Sequence, residues 1–170
     1  MERKHPQIFT HMTWTPSELQ ELSGLSPVTL RDLRRRNLAP KDETRKLDLK
    51  TVAQLFLLSE LADHGFGPKS VSHIAQQFCD ALRHHALQHR SSWVNDVSHA
   101  AWLKSSFGKT QSSKFILIER AGGTAVAIDD LSKMDQNRGA TISLVNLEHL
   151  GCRLAEHLSR RPSAMKGSGQ

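Results

Sequence analysis

Cysteine is scarce: Cys79 and Cys152 are the only two, far apart in the chain. Neither sits in the paired spacing of a zinc or redox motif. No apolar run approaches the roughly 20 residues that a membrane-spanning helix needs. The opening stretch MERKHPQIF has no apolar segment of the kind a signal peptide carries. A phosphate-binding glycine loop, a nucleophile elbow and a paired-carboxylate arrangement are all missing. These absences point away from an enzyme, from a cofactor and from a membrane partner. They leave a cytoplasmic, nucleoid-associated protein as the expectation.

What is present is basic. The 170 residues carry a formal charge of +6 and a pI near 9.7, a balance that favours polyanionic partners. Hydrophobic residues are 38% and charged residues 24%, enough for a modest soluble core in one ordinary domain or two small ones.

The chain is organised around residues 14–49, WTPSELQELSGLSPVTLRDLRRRNLAPKDETRKLDL. Thr15 is placed to cap a helix, with Pro16 as its first residue and Glu18 as the returning acid of a capping box. That helix is expected to run to about Leu22, and Ser23-Gly24 break it. Ser26-Pro27 repeats the start signal for a second helix over Val28–Arg36. Two short helices joined by a glycine-containing turn have the local pattern of a helix-turn-helix. On the second helix, Leu30 and Leu33 are expected inside with Leu22, Leu25 and Leu38. Thr29, Arg31, Asp32 and Arg35 are left outside, with Arg34 and Arg36 on the flanks. Four arginines in six residues suit an anionic surface, since guanidinium forks match both phosphate oxygens and the guanine edge. A solvated charge run at a helix end is the plainer alternative.

The segment SPVTLRDLRRRNLAP resembles the SPxTLRyYexxGLL signature of MerR-like winged-helix regulators. RKLDLKTVAQL is similar to that family's RxYSxxDLxxL, and LADHGF to its LRxLGF. The resemblance covers roughly residues 13–78. It implies an N-terminal winged helix-turn-helix whose second helix lies in the major groove of double-stranded DNA, beside a wing that touches the backbone. Carried over by position, it implies groove contacts from Thr29 and Arg31, a backbone or groove contact from Arg35, and Arg45 as the wing arginine. Lys46 stands next to it in the same arm. The chain departs from the pattern at Asp32 and Leu33, where the family has aromatics, and at Asn37, where it has glycine. No Gly-Tyr precedes Arg45.

After Ala39-Pro40 the arm is expected over Lys41–Leu47. Asp48 can cap a third helix, Leu49 to about Asp63, with Val52, Leu55, Phe56, Ser59 and Ala62 on one stripe. Gly65-Phe66-Gly67-Pro68 interrupts, with Phe66 sealing the corner, and a fourth helix carries Val71, Ile74, Ala75, Phe78 and Leu82. Leu82–His89 is expected to extend that helix. Ser92 is placed to cap a further helix with Trp93, Val97, Ala101 and Trp102, a docking surface within the chain or between subunits. Lys104–Ser113 has the composition of a linker. Beyond it the period switches to strands at Phe115–Glu119, Thr124–Ile128 and Ala140–Val145, the first two joined around Gly122-Gly123. Asp129–Gly139 is a polar loop, and Asn146 caps a helix to about Ser159 with Leu147, Leu150, Leu154 and Leu158 inside.

The expected fold is therefore α+β. It comprises a winged helix-turn-helix at 13–80, a helical connector or dimerisation segment at 81–103, a small three-strand-plus-helix module at 114–159 and a basic tail at 160–170. That module would pack on the helical half or on a second copy. Two clusters could be taken for metal sites. His84, His85 and His89, with His73 nearby, form the first, but no acid or cysteine completes a four-ligand set, and surface histidines are common. Asp129, Asp130 and Asp135 suit a solvated loop better than a cation. Cys79 and Cys152 fall near apolar stripes and read as small core residues.

The expected function is a sequence-specific duplex-DNA-binding transcriptional regulator, acting as a homodimer. Its C-terminal module would serve assembly or sensing, or would meet RNA polymerase or another protein. The alternatives are an excisionase-like or architectural DNA-binding protein, and a protein–protein adaptor that uses a helix-turn-helix scaffold.

Overall fold

The computed structural model describes residues 13–41, 47–89, 113–119, 124–133 and 142–160. Its first half is four helices, and each starts where the sequence supplies a start signal. Helix α1 spans Pro16–Ser23 behind a complete capping box: the Thr15 hydroxyl accepts from the Glu18 amide at 3.3 Å, and the Glu18 carboxylate accepts from the Thr15 amide at 2.7 Å. Gly24 ends it in a left-handed conformation (φ 73°), its amide donating to the Gln20 carbonyl. Helix α2 spans Pro27–Arg35, with the Ser26 hydroxyl accepting from the Thr29 amide at 3.1 Å.

The end of α2 explains one departure from the MerR-like pattern. Asn37 has a φ of 57°, and the amides of Asn37 and Leu38 close the helix on the carbonyls of Arg34 and Leu33. That conformation calls for glycine or asparagine, so asparagine can stand where the pattern has glycine. The chain then returns to α1 through a two-residue antiparallel bridge, Trp14 N–H to Leu47 C=O at 2.8 Å and Leu47 N–H to Trp14 C=O at 2.7 Å. Both side chains are buried, so the far end of the arm is pinned to the start of α1. Residues 42–46 of the expected arm, with Arg45 and Lys46, lie outside the described residues.

Helix α3, Leu49–Asp63, is capped by the Asp48 carboxylate on the Thr51 amide at 2.7 Å. A single inward stripe was the expectation, and here the structure differs. Ala53, Leu57, Leu58 and Leu61 are buried along with Val52, Leu55, Phe56 and Ser59, while Ala62 is only half-buried. A helix apolar on nearly every face belongs in the middle of a core, and α1, α4 and the last helix surround this one. The Ser59 hydroxyl donates to the Ser23 carbonyl at 2.7 Å, satisfying a group at the open end of α1. Gly65 (φ 85°) and Phe66 turn the corner, and Phe66 packs against the core.

Helix α4 is one uninterrupted element from Pro68 to Gln88, so the expected extension over Leu82–His89 is part of it. The C-terminal module is an antiparallel sheet of order β2-β1-β3, from β1 (Phe115–Glu119), β2 (Ala125–Ile128) and β3 (Ile142–Asn146). A single 3₁₀ turn, Leu131–Lys133, follows β2. The Gly122-Gly123 connection and the Trp93–Trp102 segment lie outside the described residues. Asn146 caps α5 (Leu147–Arg160), its side-chain oxygen accepting from the His149 amide at 2.9 Å.

One sheet face, with Ile116, Ile118 and Val145, is buried in the same core as the four helices, which extends without a break from Trp14 to Leu158. The other face carries Leu117 between its cross-strand partners Val126 and Leu144, both of them exposed. Helix α5 lies along α4, with Leu147, Leu150, Leu154 and Leu158 buried as expected. Arg153 ties α5 to α3, pairing with Glu60 at 2.8 Å and stacking over the Phe56 ring. The module therefore packs on the helical half.

Candidate nucleic-acid interface

Helix α2 is held to the body by Leu30 and Leu33, 2% and 3% exposed, so the opposite side of its cylinder faces solvent. Counting about 100° per residue, that outer side is centred on Val28 and Arg35, with Arg31 and Asp32 beside them. Thr29 and Arg36 lie on one flank and Arg34 on the other.

The structure separates the four arginines. Arg31, Arg35 and Arg36 are exposed. Arg34 is half-buried, and its Nε donates to the Pro40 carbonyl at 3.1 Å. Its geometry is that of a brace between the end of α2 and the start of the arm. Asp32 sits among the others and pairs with Arg35 at 2.7 Å and with Arg36 at 3.6 Å. Exposed pairs three and four residues apart are worth only about 0.3–0.5 kcal/mol. A phosphate can therefore displace the carboxylate, and until then Asp32 holds both guanidinium groups against the helix. Thr29 is exposed, but its hydroxyl lies 2.9 Å from that of Ser26, so it is engaged in the N-terminal cap.

Val28 is missing from the sequence-based set of site residues. It is 70% exposed and is the most exposed large apolar side chain among those described. The signal was available, because Val28 is diametrically opposite the Leu30–Leu33 stripe.

The remaining candidates take structural places. His84 and His85 are buried, contrary to the expectation of surface histidines, and α5 packs on α4 at His85. Gly151 permits the approach: a methyl group in its place would lie 2.9 Å from the Ala86 backbone nitrogen. The His85 Nε2 lies 2.9 Å from the Ser113 carbonyl. Burial pushes the His85 pKa below its ordinary value, opposed by the Ser113 carbonyl and by Glu148. Cys79 is buried, and burial, with Asp80 next to it, raises its thiol pKa, the opposite of a reactive thiolate. Cys152 is half-buried on α5. Asp130 caps the Ser132 amide at 2.9 Å, while Asp135 is outside the described residues. Among the described residues no three His, Cys, Asp or Glu side chains converge as a metal site, and no helix is long and apolar enough to cross a membrane.

No protein-family model matches the chain, and no curated protein matches it as a relative.

Proposed function

We propose that the chain is a sequence-specific duplex-DNA-binding regulator of transcription that places α2 in the major groove. The observation that carries this reading is the outward side of α2. Three exposed arginines and an exposed valine stand on a helix whose other side is fixed by two buried leucines. Capped at both ends and locked to α1, the helix presents a rigid surface about as wide as the major groove admits. Arg31 is the groove contact, and Arg35 and Arg36 meet phosphate once released from Asp32. Arg45 and Lys46 act as the wing, contacting the backbone alongside. Arg34 is assigned to bracing the arm.

A single recognition helix reads few base pairs, so two protomers on a two-fold-symmetric site are the expected active form. The C-terminal module then serves assembly, sensing or contact with another protein such as RNA polymerase, and the complex resides on the nucleoid. Genome-wide mapping of bound sites tests the reading. A regulator protects promoter-proximal palindromes. An excisionase-like protein protects repeated direct sites and bends them, and an adaptor protects none.

A further inference from the structure

We propose that Val28 reads a thymine methyl group, making thymine at one defined position a requirement of the preferred site. This rests on the groove-helix reading above and goes beyond it by naming a base and the atoms that select it.

Val28 occupies the second residue of α2, directly after Pro27, at the point of the helix farthest from the buried leucines. Arg31, Asp32 and Arg35 follow three, four and seven positions later and share its stripe. The chemistry of that stripe distinguishes a backbone contact from a base contact. A surface built to lie on phosphate would be cationic throughout. This one has a carboxylate, Asp32, one turn from two exposed methyl groups. The carboxylate repels phosphate, and the methyl groups offer phosphate nothing. Both fit base edges. A carboxylate accepts from an exocyclic amino group, and thymine C5 carries the one apolar group that the four ordinary base pairs present in the major groove.

Thr29 is less well placed for the same contact, because it lies on the flank of the helix rather than at its outermost line. Asp32 pairs with Arg35 and Arg36, which leaves Val28 and Arg31 as the members of the stripe outside that ion-pair cluster.

The test uses the full-length protein. Duplexes are selected from a randomised pool, and each thymine of the consensus is then replaced in turn by deoxyuridine, which removes only the C5 methyl. One position should bind about fourfold more weakly with deoxyuridine, the worth of one methyl group taken from water. Val28→Ala should bind the thymine and deoxyuridine duplexes equally at that position, with an unchanged melting temperature because so little of Val28 is buried. Methyl removal without effect at every thymine, or sensitivity that persists in Val28→Ala, would overturn the assignment while leaving DNA binding intact. Failure of any duplex to enrich would overturn the groove-helix reading, and the role of Val28 with it.

Discussion

Replacing Gly151 by alanine sets two known effects against each other, and the sign of the result reports how closely α4 and α5 pack. In a helix interior, glycine to alanine stabilises by about 1 kcal/mol, because the unfolded chain loses freedom and alanine favours the helix. At Gly151 the added methyl would lie 2.9 Å from both the Ala86 nitrogen and the His85 carbonyl carbon, and these are backbone atoms that cannot swing aside. The helices must separate, and overpacking of this kind costs roughly 2–3 kcal/mol. The net expectation is a loss of about 1–2 kcal/mol, which in a chain of this size lowers the melting temperature by roughly 2–8 °C. Urea unfolding of the two proteins side by side, with thermal melts as a check, measures it. A more stable Gly151→Ala protein would mean that α5 does not rest on α4 at this distance. It would also remove the close approach of α5 as the cause of His85 burial.

Two further outcomes follow from the same core. Leu33→Ala should cost about 2–5 kcal/mol by opening a cavity under α2, against little change for alanine at the exposed Arg31; denaturant titration checks both. The His85 pKa is lower in the folded state than in the unfolded one, so the unfolded chain takes up its proton first on acidification. That contribution to stability is complete above about pH 6.5 and is lost as the pH falls from there toward the folded value. Unfolding free energies from pH 7.5 to 5 should decline less steeply for His85→Gln, and parallel declines would remove His85 as the cause.

Four of the five helix starts were legible because each depends on a side chain within three residues of the amide it caps: Thr15 on Glu18, Ser26 on Thr29, Asp48 on Thr51 and Asn146 on His149; the start of α4 was legible from Pro68 alone. What could not be seen required distant partners. The Trp14–Leu47 bridge joins residues on either side of the helix pair. The all-round burial of α3 needs α5, almost a hundred residues away, whose Arg153 reaches Glu60. His85 looks like a surface residue until Gly151 brings α5 against it. On α2 and its C-cap, exposure of Arg31, Arg35 and Arg36 follows from helical periodicity alone. The turn of Arg34 toward Pro40 does not, because it depends on how the chain leaves α2. Val28 is an apolar residue on a polar face, so the charge pattern of the helix does not mark it.

The proposed function places duplex DNA on the exposed side of α2. It is tested most directly by the double substitution Arg31→Ala, Arg35→Ala, with binding measured on the selected duplex and on a scrambled one at several salt concentrations. Both side chains are exposed and Arg35 has only a surface ion pair, so the melting temperature should stay near that of the parent. Binding to the selected duplex should fall by about 1–3 kcal/mol for a bidentate base contact from Arg31, with a further loss for a phosphate contact from Arg35. The salt slope should shrink by about one unit per phosphate contact removed. Undiminished binding by a well-folded double variant would contradict the groove-helix assignment.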